Sequence, residues 1–87
     1  MKQLLKKLSE APGVSGNESK IKEIIIEEIK SFVDEIKEDS MGNLITMKKG
    51  SGKFNFMIAT HMDEIGFMVK HIDEKGFISF EKIGGID

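Results

Sequence analysis

The amino-acid sequence predicts an α/β fold in which two helices precede a mixed sheet. Up to Phe32 the apolar residues recur at helical spacing. Beyond Phe32 they fall into short runs separated by turn-forming residues, which is typical of strands. One run, Phe56 to Ala59, is apolar at four successive positions, as in a strand that is covered on both faces.

Two helices are expected before the sheet. The first covers the opening ten residues, where three leucines share one face and a Pro-Gly pair follows as a stop signal. Residues 15–18, Ser-Gly-Asn-Glu, match a capping box, so the second helix is predicted from about Asn17 to Ser31. Its apolar stripe would pack on the sheet through Ile21, Ile25 and Ile29.

Five strands are expected after the helices. Their predicted ranges are 36–39, 44–48, 54–60, 65–72 and 77–83. Residues 54–60 follow a flexible hairpin connection at 50–52 and should be the best-buried strand. Three methionines near these strands are predicted to fill the core: Met57, Met62 and Met68. Because the two helices would cover only one face of the sheet, the other face requires further chain or a partner.

Composition excludes several classes of protein. The chain has 87 residues, a net charge of −2 and no cysteine, so it has neither disulfides nor cysteine-based zinc sites. The charges are mixed along the chain and form no basic patch for nucleic acid. No apolar segment reaches the ~20 residues of a membrane span, and no signal peptide is recognisable. A cytoplasmic location, with no membrane partner, is therefore expected.

His61 and Asp63 are the candidate site residues. They follow the most apolar predicted strand directly, at the sheet edge where α/β proteins bind ligands. A neutral imidazole binds zinc, cobalt or manganese, and a nearby carboxylate can orient the ring. A His-x-Asp pattern is short, however, and a lone histidine at a strand end is more often a surface residue. Spacing alone leaves both interpretations open. His71 is predicted to be structural, and Glu64 and Asp87 are further carboxylates.

The segment from Ala59 to Val69, Ala-Thr-His-Met-Asp-Glu-Ile-Gly-Phe-Met-Val, resembles the first metal-site motif of the glutamyl and deblocking aminopeptidases. These are the tetrahedral aminopeptidases, some of which were labelled cellulase or endoglucanase. The resemblance extends over nearly the whole chain, in the family's order. It includes Pro12-Gly13-Val14-Ser15-Gly16 with Glu18, Asp39-x-x-Gly42-Asn43-Leu44, and Gly76-Phe77 followed by Ile83-Gly84-Gly85.

The resemblance implies a catalytic α/β domain with an inserted β-barrel-like dimerisation domain. Residues 1–66 would belong to the catalytic domain and residues 67–87 to the first strands of the insertion. Two divalent metal ions, zinc or cobalt, would sit at the edge of the catalytic sheet. His61 matches the first histidine ligand, and Asp63 matches the catalytic aspartate that supports it. The family's bridging aspartate, glutamate general base, other acidic ligands and second histidine have no counterpart in this chain.

The sequence therefore favours the N-terminal segment of a metal-dependent aminopeptidase that removes N-terminal residues from peptides. We expect the segment to be inactive alone, since a catalytic zinc generally needs three protein ligands. Its expected partners are peptide substrates, the missing catalytic portion and a homo-oligomer partner. One alternative is a non-catalytic fragment that acts as an interaction module. A glycosidase is the third hypothesis, but no pair of carboxylates is specified for it.

Overall fold

A computed structural model describes all residues, 1–87, as two helices followed by two β-hairpins. The elements are α1 (Lys2–Glu10), α2 (Ser19–Ile29), β1 (Glu35–Glu38), β2 (Leu44–Met47), β3 (Gly66–Ile72) and β4 (Ile78–Ile83). β1 pairs with β2 and β3 with β4, each pair antiparallel, so the chain holds two separate two-stranded sheets. Both predicted helices and four of the five predicted strands are thus confirmed. No helix is long and apolar enough to cross a membrane.

The second helix is confirmed, but its predicted capping box is wrong. Glu18 is the N-cap residue, and no side chain caps the helix. Instead, the Glu18 carboxylate accepts a hydrogen bond from the Gly16 N–H at 2.7 Å. A turn closed by the Asn17 N–H and the Val14 carbonyl precedes the helix, so Ser15 lies too far from its first turn to cap it.

The core is small and lies at the start of α2. Ala11 and Ile21 are the buried apolar residues, and Ile21 is only 5% exposed. Lys22 is also buried and forms an ion pair with Glu38, which ties α2 to β1. Ile25 and Ile29 are half-buried. α2 therefore packs closely at Ile21, whereas its apolar stripe stays partly exposed at Ile25 and Ile29.

The two hairpins turn in the same way. In the first, the Asp39 carboxylate accepts hydrogen bonds from the N–H groups of Met41 and Asn43 at 3.0 and 2.9 Å. In the second, Asp73 accepts from Lys75 and Phe77, both at 2.9 Å. A glycine follows each aspartate after two residues and adopts a positive φ, +87° and +84° respectively, which glycine adopts without strain. An Asp-x-x-Gly turn therefore specifies each hairpin locally.

Acid should weaken the first of these turns. The side-chain amide of Asn43 and the backbone N–H groups of Asn43 and Met41 hold the pKa of Asp39 below its usual value. Because the pKa is lowered on folding, the contribution to stability is present above the unfolded value of about 3.9 and is lost as pH falls through the folded pKa. An NMR titration of the Asp39 carboxyl carbon measures this. Asn43→Ala should move the midpoint upwards, and an unchanged midpoint would contradict the assignment.

Residues 54–60 do not form the predicted buried strand. They adopt no regular secondary structure, and Phe56 and Ile58 are 89% and 82% exposed. No residue from 50 to 63 takes part in a backbone–backbone hydrogen bond, so 50–52 do not connect a hairpin. Met57 and Met68 are exposed and fill no core, whereas Met62 is half-buried. The apolar run favours burial, but this chain supplies no neighbouring strand to bury it.

The molecule is extended for its size. Its radius of gyration is 17.4 Å, whereas a compact domain of this length would have roughly 12 Å. Its accessible surface is 8013 Å², whereas a folded monomer of 9.8 kDa would expose roughly 5,200 Å². Much apolar surface that a compact domain would bury is therefore in contact with solvent.

Candidate metal centre

Glu64, shortly after the exposed residues 54–60, is hydrogen-bonded to the loop between α1 and α2. The Glu64 N–H donates to the Gly13 carbonyl at 2.8 Å, and the Gly13 N–H donates to the Glu64 carboxylate at 3.1 Å. Val14 and Glu64 form an isolated parallel bridge. These contacts position the neighbouring Asp63. Nothing in the sequence pattern signalled that Glu64 would have this role.

Close packing around this anchor explains two glycines. A Cβ on Gly13 would lie 2.9 Å from Cγ2 of the buried Ile21, so an added methyl group would force the Ile21 side chain to shift. A Cβ on Gly66, the first residue of β3, would overlap with Cγ1 of Val14. The loop, α2 and the start of β3 therefore meet where glycine leaves room for them.

We expect Gly66→Ala to lower the free energy of unfolding by about 1–3 kcal/mol, because the new methyl group forces Val14 to move. Urea unfolding followed by circular dichroism measures the change. Gly50→Ala is the matched control, since a Cβ there meets no atom within 4 Å. Equal stability of the two variants would show that the contact between Gly66 and Val14 does not constrain the fold.

His61 and Asp63 lie together. The Nδ1 atom of His61 is 3.2 Å from Oδ1 of Asp63 and 3.1 Å from the Asp63 carbonyl oxygen. Because both neighbours are acceptors, a neutral His61 ring satisfies them with the proton on Nδ1, which leaves the lone pair on Nε2. The His61 side chain is 84% exposed and that of Asp63 is 42% exposed. A carboxylate behind one ring nitrogen, with the other free and accessible, is the usual arrangement of a metal-binding histidine.

The other predicted residues do not join this pair. No group of three or more His, Cys, Asp and Glu side chains converges anywhere in the chain. His71 lies on β3 opposite Ser79, next to an irregularity in the strand pairing. The Glu64 carboxylate is taken up by the Gly13 N–H. His61, hydrogen-bonded to Asp63, therefore offers one candidate donor atom for a metal ion, and the other donors of a metal site would have to come from elsewhere.

A groove of about 590 Å³ lies beside the pair. It is formed by α2, by β2 and by residues 57–63, and His61 and Asp63 belong to its lining. Ile25 and Ile29 contribute apolar surface from the helix. The candidate metal ligand is thus placed next to an apolar groove that is open to solvent.

Comparison with known proteins decides the family. A sequence model of the M42 glutamyl aminopeptidases matches residues 42–87, which is more than half of the chain. The chain belongs to the M42 glutamyl aminopeptidase family. The match includes β2, the exposed segment, the His61–Asp63 pair and the second hairpin.

Relatives of this M42 chain are much longer than it is. A protein from Acetivibrio thermocellus, named provisionally as an aminopeptidase, is 60% identical over 86 residues, which are 99% of this chain and 26% of that protein. The lysyl aminopeptidase of Pyrococcus furiosus is 45% identical over 97% of this chain and 24% of its own length. The chain therefore spans about a quarter of the curated relatives that it matches.

Solved structures of longer proteins contain the same arrangement of elements. The aminopeptidase APDkam598 from Desulfurococcus kamchatkensis superposes with a TM-score of 0.89 and 41% identity, over 97% of this chain and 24% of that one. The two helices and the small antiparallel sheets thus correspond to the N-terminal part of the M42 aminopeptidase fold. A Thermotoga maritima structure titled endoglucanase also superposes, with a TM-score of 0.86 and 43% identity over 95% of this chain and 27% of that one. The family model and the curated relatives are aminopeptidases, however, so a glycosidase is not favoured.

Proposed function

We propose that this chain is the N-terminal segment of a metal-dependent aminopeptidase and that His61 is one of its metal ligands. The hydrogen bond from His61 Nδ1 to Asp63 carries the proposal, because it leaves Nε2 free to bind a divalent ion. Zinc and cobalt both suit an imidazole ligand. When bound, such ions polarise a scissile carbonyl and lower the pKa of a bound water towards ~7.

Within this proposal, Asp63 is a positioning residue for His61. Its carboxylate fixes the tautomer and makes the ring a better ligand. Glu64 acts one step farther away by holding this segment on the Gly13 loop. The chain's own contribution is therefore one oriented imidazole, while the general base and the other ligands come from outside residues 1–87. Peptides with a free N-terminal residue are the proposed substrates.

The proposal includes the predicted division at residue 66. Residues 1–66 would belong to the catalytic domain, and residues 67–87 would begin an inserted barrel-like domain. Two observations support the division: the second hairpin pairs only within itself, and the long axis of the molecule measures 63 Å. A homo-oligomer partner and a cytoplasmic location also remain part of the proposal; the lack of cysteine fits a reducing compartment.

A fusion protein tests the function. Joining this chain to the part of the Acetivibrio thermocellus relative that it does not match should give turnover of chromogenic aminoacyl substrates with zinc or cobalt. The chain alone should give none under the same conditions, because it supplies one ligand and no general base. Turnover by the chain alone would overturn the proposal, and so would an inactive but folded fusion protein.

One observation favours a second candidate, an interaction module without catalysis. Residues 54–58 present two phenylalanines and two further apolar side chains to solvent. Exposed apolar surface of this kind marks a binding site for another protein. If the fusion protein folds and binds metal without hydrolysing any substrate, this candidate becomes the better explanation.

A further inference from the structure

The His61 ring is held at one atom only. Its Nδ1 lies 3.1 Å from the Asp63 carbonyl oxygen and 3.2 Å from the Asp63 carboxylate, and one N–H can be shared between two acceptors in this way. The carboxylate is 42% exposed and accepts no other hydrogen bond from the protein. It is therefore free to rotate into solvent, and its own surroundings do not fix the direction of the ring.

The Asp63 carbonyl, in contrast, belongs to a peptide group that is held at its other end. The peptide bond between Asp63 and Glu64 is trans. Because a trans peptide group is planar, its C=O and N–H point in opposite directions. The N–H of this group is that of Glu64, which donates to the Gly13 carbonyl at 2.8 Å. A bond at one end of a rigid plane therefore sets the direction of the oxygen that faces His61.

Gly13, in turn, is fixed by two contacts. Its N–H donates to the Glu64 carboxylate at 3.1 Å, so two hydrogen bonds close a ring between residues 13 and 64. Its Cα also lies so close to Ile21, the buried isoleucine of α2, that an added Cβ would be 2.9 Å from Cγ2 of that side chain. The direction of the exposed His61 ring is thus connected to the core of the chain.

We propose that Glu64 is a positioning residue for His61 and that it acts through the Asp63–Glu64 peptide group. The Glu64 carboxylate holds Gly13, the Gly13 carbonyl orients the peptide group, and the peptide oxygen keeps the proton on His61 Nδ1. Nε2 then presents its lone pair in one direction before a metal ion arrives. The inference rests on the proposed function, since the direction of Nε2 matters only if His61 binds a metal ion.

The tautomer of His61 tests the proposal in the full chain without metal or substrate. Nitrogen-15 NMR at a pH where the ring is neutral measures the ratio of the Nδ1–H to the Nε2–H form, and a His71→Ala background leaves one histidine signal. The Nδ1–H form should be the major one in this background. Asp63→Ala should lower the ratio by about tenfold, because hydrogen bonds to charged groups are the stronger ones. A major Nε2–H form before any change at residues 63 and 64 would overturn the proposal.

The effect of Glu64 is measured on top of Asp63→Ala, where the peptide oxygen is the remaining acceptor. Adding Glu64→Ala should lower the ratio by a further factor of about five, the net contribution of one neutral hydrogen bond. Adding Glu64→Gln should change it by less than about twofold, because the amide oxygen still accepts from the Gly13 N–H. Equal ratios with alanine and glutamine at residue 64 would overturn the proposal.

Glu74→Ala in the same background is the matched control. It removes the same charge from an exposed residue in the turn of the second hairpin and should leave the ratio within about twofold. A loss as large as that caused by Glu64→Ala would mean that the ratio responds to net charge and not to the Gly13–Glu64 contact, which contradicts the proposal.

A second measurement covers the case in which Glu64→Ala unfolds so small a chain. In the fusion protein, Glu64→Ala should weaken zinc binding by about tenfold, as is usual when the support of a ligand is lost, and Glu64→Gln should restore it. Unchanged zinc affinity in a folded Glu64→Ala fusion protein would overturn the proposal.

The outcomes separate this inference from the proposed function. A tautomer ratio that depends on Glu64, in a fusion protein without turnover, would support the positioning role and contradict the aminopeptidase. Turnover by the fusion protein, with a tautomer ratio that does not respond to Glu64, would support the aminopeptidase and contradict the positioning role.

Discussion

Replacing His61 by alanine should abolish aminopeptidase turnover in the fusion protein. The substitution removes the one imidazole that a carboxylate orients, while leaving the anchored segment around Glu64 intact. Asp63→Asn should have a smaller effect, about 10–100-fold in activity or metal affinity, since it weakens the support of the ligand without removing it. Steady-state rates and zinc titrations measure both effects.

His71→Ala is the matched control for this prediction. His71 is the other histidine of the chain, lies on β3 and pairs with Ser79 across the second hairpin. Its replacement should leave turnover and zinc affinity within about twofold of the parent, as expected for a surface substitution away from the site. Comparable losses in the His61 and His71 variants would mean that neither residue is a specific ligand.

Ile21→Ala should destabilise the isolated chain more than any other apolar truncation, by about 2–4 kcal/mol. Ile21 is the one large apolar side chain that is buried, and it packs against the Gly13 loop. The expected loss approaches the whole stability of so small a core. Ile21→Val, which keeps most of the volume, should cost about 0.5–1.5 kcal/mol. Urea unfolding in the presence of a stabilising osmolyte can resolve the two.

Ile58→Ala should affect the stability of the isolated chain and that of the fusion protein differently. In the isolated chain its effect on stability should be close to zero, because the Ile58 side chain is in solvent. In the fusion protein the same substitution should cost about 2–4 kcal/mol, if the segment becomes an inner strand there. A large cost in the isolated chain would show that residues 54–60 are packed without a partner, and a zero cost in both would exclude an inner strand.

The features that the sequence predicted correctly have local causes. The leucines and isoleucines at helical spacing specify α1 and α2, and Asp39 and Asp73 specify the turns of the two hairpins. Features that depend on distant residues were not predictable in the same way. The run from Phe56 to Ala59 favours a buried strand, but burial requires neighbours that residues 1–87 do not provide.

The candidate site likewise has one part that follows from local sequence and one part that depends on a distant residue. His61 and Asp63 are two residues apart, so their proximity follows from local geometry, and the structure brings them together. The role of Glu64 depends on Gly13, which is 51 residues away, and no local pattern announces that contact. The capping box failed for a local reason: the turn at Val14–Asn17 displaced Ser15 from the first turn of the helix.

The Asp-x-x-Gly turns also affect the order of folding. Each closes a hairpin whose contacts are close in sequence, and hairpins of this kind form within about 1–10 μs. Residues 50–60 have no such backbone contacts. During assembly the hairpins would therefore form before the partner arrives, and residues 50–60 would be fixed only on contact with it. Fixing these residues costs about 1–2 kcal/mol each in backbone entropy. Substitutions between residues 50 and 60 should therefore change mainly how long the complex lasts, while those in the turns should change how fast it forms.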